Sequence, residues 1–263
     1  MREPDFYSIL RKFRIDGNVK NAYPFGSGHI NDSYKVLTND KNYLLQRINH
    51  EVFKDVRGLT SNISKVSDHL AEKLAQKGSH MQILVAIRTL NGEFIYKDDD
   101  ENYWRVFDFI ESSKSYNRVD NPELAFEGGK AYGWFINMVN DFQVNTLFDT
   151  IPRFHDMNFQ LENFLKAVKS NPAGRVGEVD KEIEFVNQRA EEMKLVLNLG
   201  REGKIPVRVT HNDTKINNVL FDQEGKGICV IDLDTVMPGY VHYDFGDAIR
   251  TFTNTVEEDE KDL

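Results

Sequence analysis

The hydrophobic pattern of this chain changes period partway along, and that change limits the folds open to it. In the first hundred or so residues the apolar positions fall in short extended runs, whereas from Asn121 onward they recur every three or four residues. After Pro24 comes FGSGHINDSYKV, in which Gly26 and Gly28 punctuate two extended runs, and residues 31–37 and 43–48 then flank the polar stretch 38–42 as in a hairpin. A helix is expected over 60–77, with Ile63, Val66, Leu70 and Leu74 on one stripe, Thr60 or Ser61 as its cap and Gly78 just past its end. Strand-like runs follow at 82–87 and 102–111. Asn121-Pro122-Glu123 then reads as a helix start, with Pro at the first helical position and an acid in the first turn. Leu124, Ala131, Phe135, Met138 and Phe142 mark its buried stripe, and further helices are expected over 157–169 and over 179–199, the last ending at Gly200. A β-rich unit therefore precedes an α-rich one, an α+β, two-lobed plan with an N-lobe at 1–107, a hinge or linker at 108–120 and a C-lobe at 121–263.

Charge narrows the partners. With 33 basic and 42 acidic side chains the 263-residue chain carries a formal net charge of −9, which argues against a general nucleic-acid or anionic-membrane binder, since both need basic surface. A small basic pocket for one anion remains compatible with that balance. The single Cys229 cannot form an internal disulfide. MREPDFYSILRKFR at the N-terminus lacks a signal-peptide core, and apolar stretches such as 131–139 fall far short of the ~20 residues a membrane span needs. The expectation is a cytoplasmic protein with no nucleic-acid and no membrane partner.

The richest chemistry lies between residues 205 and 250. The apolar runs 218–222 and 228–232 are equal in length and separated by five turn-forming residues. Paired symmetrically as an antiparallel hairpin, they set Asn218 opposite Asp232, and opposed side chains on one face have Cβ atoms about 4.5–5.5 Å apart. An amide oxygen and a carboxylate at that distance can share a cation; both are hard donors that suit Mg2+, and few protein ligands are needed when substrate phosphates supply the rest. Asp213 sits on the loop leading into the hairpin, placed to accept a proton from a hydroxyl nucleophile or to orient it. Lys215 offers positive charge where a transferred phosphoryl group develops its own negative charge.

His211-x-Asp213-x-x-x-x-Asn218, followed by an apolar strand ending in Asp232, resembles the catalytic loop and metal-binding Asp of the kinase-like fold. HNDTKINNVLF and IDLDTVMPG are closer to the aminoglycoside phosphotransferase and choline kinase superfamily than to protein kinases. Within it, YLLQRIN at 43–49, IDLDTVMPGYVHYDFGDAIRT at 231–251 and FGSGHINDSY at 25–34 resemble bacterial N-acetylhexosamine 1-kinases. The resemblance implies a protein-kinase-like fold, ATP and Mg2+ as cofactors, Asp213 as catalytic base, Lys215 on the γ-phosphate, and Asn218 and Asp232 as Mg2+ ligands. Asp234 is either a second metal ligand or a solvated acid. Gly26 and Gly28 let backbone amides approach phosphates, and Arg47 matches the strand position that carries a cation for the α- and β-phosphates. An acidic partner for Arg47 is not visible on helix 60–77. Residues Asp108, Phe109 and Ile110 occupy the place of the interlobe hinge, where backbone groups read adenine. Members of the family continue with further helices beyond this point, so the resemblance also implies a chain shortened at its C-terminus.

For the acceptor, His29 and Asn31 follow the Gly-rich loop, and Tyr243, Asp247 and Arg250 follow the metal site. They supply the directional donors, acceptors and aromatic wall a sugar needs, or, for Asp247 and Arg250, a structural helix pair. The favoured function is ATP-dependent phosphorylation of the anomeric hydroxyl of an N-acetylhexosamine. Alternatives are another small acceptor (choline, homoserine or an aminoglycoside), a nucleotide-binding module without turnover, a DxD glycosyltransferase using Asp232-Leu233-Asp234, and a metal phosphoesterase using His211, Asp213, Asp232 and His242.

Overall fold

Strand pairing organises the first lobe. The computed structural model describes residues 4–26, 30–254 and 256. After a short helix α1 (Phe6–Leu10), strands β1 (Val19–Pro24), β2 (Asp32–Thr38) and β3 (Tyr43–Ile48) run antiparallel. Helix α2 (Val56–Lys77) follows, and β4 (Ala86–Ile87), β5 (Tyr96–Lys97) and β6 (Tyr103–Asp108) complete a six-stranded sheet in the order β1-β2-β3-β6-β4, with β5 also on β6. Strand residues alternate between faces. Tyr43, Leu45, Trp104 and Val106 pack outward under Ile9, Leu10 and Phe13, while Ile48 and Phe107 face inward to the main core with α2.

Two expected features are corrected here. Helix α2 starts four residues early, at Val56, because Asp55 caps it by accepting from Gly58 N at 2.8 Å; Thr60 lies inside the helix and donates to Val56 O at 2.7 Å. Of the run 82–87 only Ala86–Ile87 pairs as strand, since Gln82 N donates across the lobes to Ile228 O at 2.6 Å.

The second lobe opens with α3 (Pro122–Met138), whose N-cap Asn121 accepts from Leu124 N at 2.8 Å. Leu124, Ala131, Phe135 and Met138 are buried as the spacing predicts. Helices α4 (Met157–Ser170), α5 (Asp180–Met193) and α6 (Leu195–Arg201) follow. The single helix expected over 179–199 is thus two, broken at Lys194, and Gly200 does not end it. A Cβ at Gly200 would lie 1.9 Å from the Tyr240 ring, so the glycine permits a close approach rather than a stop. Strand β7 (Arg208–Thr210) pairs with β10 (Met237–Gly239), and β8 (Val219–Phe221) pairs with β9 (Gly227–Val230). Helix α7 (Val241–Phe252) is the last described element. Fully buried Asn62 of α2 ties the lobes together, donating to Phe148 O and Val236 O at 2.8 and 2.9 Å. Among the described residues no helix is long and apolar enough to cross a membrane.

The candidate phosphoryl-transfer site

Strand β7 delivers the chain into the loop 211–218, and α7 grips that loop from below. The buried Asp244 carboxylate accepts from His211 N at 2.8 Å and from Asn212 N at 2.7 Å, and Asp247 accepts from Thr214 N at 2.7 Å. Burial pushes the Asp244 carboxyl upward, against the pull of His211 and those two N–H groups. His211 is fully buried between Tyr132 and Phe135. Its Nε2 lies 2.9 Å from Ile231 O and its Nδ1 accepts from Asp213 N at 3.3 Å, so the proton belongs on Nε2 and the ring shapes the loop. Asn212 adopts φ +65°, a left-handed conformation that Asn tolerates better than most residues. With its neighbours' amides held, Asp213 projects from a fixed backbone.

The Asp213 carboxylate meets Asn218 Nδ2 at 3.0 Å and Lys215 Nζ at 3.4 Å, and its side chain is 25% exposed. Asn218 also donates to Asp213 O at 2.9 Å, which leaves its Oδ1 as the acceptor end. The expected direct opposition of Asn218 and Asp232 is corrected: the register is Val219 with Val230, shifted at Phe221, and Ile231 N donates to Asn218 O at 2.9 Å. Asp232 then takes φ +58°, and this left-handed turn returns it to the cleft that Asn218 also lines. A bulge and one turn thus reach by another route what a symmetric hairpin would have given.

Asp232 is open to solvent at the cleft but flanked by protein on its other sides. Its carboxyl is pushed up to about 7, first by burial, then by the charge of Asp234, with Arg105 opposing. A carboxylate beside an amide oxygen is a donor set that fits Mg2+. No three His, Cys, Asp or Glu side chains among the described residues form a ready cage.

Asp234 lines the same cleft as Asn218 and Asp232, but its carboxylate is engaged by protein. The strand does not continue through 233–235, which is a tight 3-10 turn. Arg105 on β6 holds the Asp234 carboxylate in a two-pronged pair at 2.6 and 2.9 Å, and Asn31 donates to it at 2.6 Å. Asn31 Oδ1 accepts from Asn49 N at 2.9 Å, so this residue sits at the junction of the lobes rather than with Tyr243. Arg105 Nε also donates to Gln46 Oε1 at 3.0 Å.

Arg47 is brought to the opposite side of the sheet from the cleft. Leu44 and Gln46 of β3 line the cleft, and Arg47, one residue on, pairs with Asp32 directly across on β2. The acid missing from helix 60–77 is therefore on the adjacent strand, and the cleft's sheet-borne cation is Arg105. The strand run NYWRVFDFIE carried that signal, because Arg105 and Phe107 share a face. The cleft itself, about 230 Å³, is lined by Gly26, Asp108, Phe109, Ile110, Asn218 and Asp232 among others. Gly26 takes φ +84° with open space where a Cβ would stand, so the backbone angle, not crowding, calls for glycine there. Gly28 and His29 lie outside the described residues. Asp247 and Arg250 form the helix pair, at 2.8 Å, and Tyr243 lines a second pocket below the loop.

This architecture is shared with solved phosphotransferases. An aminoglycoside phosphotransferase from Alicyclobacillus acidocaldarius aligns with a TM-score of 0.61 at 11% identity, covering 96% of this chain and 73% of that one. A microcompartment-associated aminopropanol kinase aligns at 0.57 and 14% identity, over 92% and 72%. Spectinomycin phosphotransferase APH(9)-Ia, solved with ADP and spectinomycin, aligns at 0.52 and 15%, over 97% and 79%. The β-sheet N-lobe and helical C-lobe are thus those of the kinase-like fold. The model of the phosphotransferase enzyme family APH matches residues 22–261, and the chain belongs to that family.

Proposed function

We propose that this phosphotransferase moves the γ-phosphate of ATP to a hydroxyl of a small molecule, with the anomeric hydroxyl of an N-acetylhexosamine as favoured acceptor. The observation that carries the reading is Asp213, a part-exposed carboxylate on a backbone clamped by Asp244 and Asp247, with Lys215 and Asn218 against it. Asp213 orients the acceptor hydroxyl and takes its proton. Lys215, 3.4 Å away, meets the negative charge that grows on the transferred group. Mg2+ held by Asn218 Oδ1 and Asp232 would neutralise phosphate charge and keep the reacting oxygens in line. Gly26 offers backbone at the phosphates, the 108–110 segment borders the adenine end, and Arg105 stands where Arg47 was expected to serve. The ADP complex of the similar spectinomycin phosphotransferase supports a nucleotide in this cleft. The amino-sugar preference rests on the sequence runs 25–34, 43–49 and 231–251.

The test is ADP release from Mg-ATP against N-acetylglucosamine, N-acetylgalactosamine, choline, homoserine and kanamycin. Turnover is expected with an N-acetylhexosamine, and turnover with kanamycin alone would overturn that preference. Asp213→Asn should lower transfer by about 10²–10⁴-fold while Mg-ATP affinity stays within twofold. Loss of nucleotide binding in that variant would remove Asp213 from the role of base.

A further inference from the structure

Outside the nucleotide cleft, and sharing no lining residue with it, a cavity of about 300 Å³ lies between one face of α2 and the segment 93–95 that leads into β5. Arg57, Ser61 and Lys65 line it at steps of four along α2, a spacing that stacks side chains on one side of a helix. Glu93, Phe94 and Ile95 form the facing wall. That wall is held in place. Glu93 is fixed by its backbone, its N donating to Thr89 Oγ1 at 3.1 Å and its O accepting from Thr89 N at 2.6 Å. The Arg88 guanidinium sits 4.0 Å from the centre of the Phe94 ring, and Ile95 packs against the main core.

The charges around the cavity divide into one that is engaged and two that are free. Lys65 Nζ donates to Thr146 O at 2.7 Å and stands over the Phe148 ring at 5.2 Å, so it serves the contact with the second lobe. Among the described residues no hydrogen bond or ion pair is made by the Arg57 guanidinium, the Glu93 carboxylate or the Ser61 hydroxyl. Arg57 and Glu93 therefore line one cavity without pairing with each other. A cation and an anion left apart across a cavity select a ligand that carries both charges. A carboxylate takes the guanidinium in a two-pronged, charge-assisted contact, and an ammonium takes Glu93. Phosphate or a plain carboxylate would meet Glu93 as a like charge, and a plain amine would meet Arg57. Phe94 and Ile95 add apolar wall, and apolar surface buried there supplies what two solvent-facing ion pairs alone do not.

We propose that this cavity binds a small zwitterion with an apolar side chain, an α-amino acid, its carboxylate on Arg57 and Ser61 and its ammonium on Glu93. The assignment is independent of the phosphoryl-transfer reading, since none of these residues lines the nucleotide cleft or belongs to the loop 211–218. Asn62, next to Ser61 on α2, donates to Phe148 O and Val236 O, so the ligand rests on the helix that joins the two lobes.

Calorimetric titration of the full chain with L-valine, L-leucine and L-phenylalanine tests this. The controls are 4-methylpentanoate, which carries only the carboxylate, 3-methylbutylamine, which carries only the ammonium, and inorganic phosphate. At least one amino acid should bind saturably, tenfold or more tightly than either singly charged analogue, and saturating ADP with Mg2+ should not displace it. Arg57→Gln and Glu93→Gln should each weaken it tenfold or more while leaving ADP affinity within twofold. Both positions are exposed, and circular dichroism melts verify that each variant folds. Saturable binding of no amino acid, equal binding of a singly charged analogue, or tighter binding of phosphate would each overturn the proposal. So would affinity indifferent to both substitutions, or displacement by ADP, which would put the amino acid in the nucleotide cleft.

Discussion

The two faces of the N-lobe sheet each carry an arginine paired with an aspartate, and the pairs differ in nearly everything else. On the outer face, Arg47 and Asp32 are neighbours on adjacent strands, with side chains 26% and 51% exposed. On the cleft face, Arg105 and Asp234 come from different lobes and are each 3% exposed. A half-exposed pair is worth little, because water solvates both partners when they separate. A buried pair is costly to break from one side, since the remaining charge is left without water or partner. The inner pair also does something the outer cannot: it ties β6 of one lobe to the 233–235 turn of the other.

That contrast can be broken in graded steps. Arg105→Met should cost about 3–5 kcal/mol of unfolding free energy, read by urea denaturation, because Asp234 is stranded. The double change Arg105→Met with Asp234→Leu should recover most of that stability, as apolar replacements of buried pairs do, yet weaken ADP affinity by tenfold or more once the cleft loses this tie between the lobes. Recovery of both together would show the pair to be structural only.

A pH series sharpens the cleft side. The folded pKa of Asp232, about 7, lies above its ordinary 3.8. Its contribution to stability is therefore fully present below the ordinary value and is lost as pH rises through about 7. Mg2+ binds the ionised form, so the rise in melting temperature produced by added Mg2+ should grow from pH 6 to pH 8, and Asp232→Asn should flatten it. The smallest effect belongs to the outer face. Arg47→Ala should cost under ~1 kcal/mol and leave ADP affinity unchanged; a tenfold loss there would return Arg47 to the nucleotide site.

Much of the plan was legible locally. The change of period at Asn121, the hairpin of β2 and β3 and the Asn121 cap depend on neighbours in sequence, and the structure keeps them. The loop from His211 to Asn218 stood out by its residue types and spacing, and the structure brings Asp213, Lys215 and Asn218 together there. Misreadings came where one residue decides the face. Arg47 and Gln46 differ by a single step, and on a strand a single step is the other side of the sheet. Asn218 and Asp232 share the cleft only because a register shift and a left-handed residue cancel the slip. Asp244 stood in YDFGDAIR, three residues before Asp247 on one helix face, but nothing local says that their carboxylates hold the backbone of a loop some 30 residues upstream.

The sequence by itself therefore determined the two-lobed α+β order and the family, because periodicity, caps and spaced motifs are short-range. Only the tertiary structure decided which arginine enters the cleft, that Asp234 is bound across 129 residues to Arg105, and that Arg57 and Glu93 line one cavity. Those outcomes depend on burial and on which faces are pressed together, and a buried charge has no signature until the chain has closed around it.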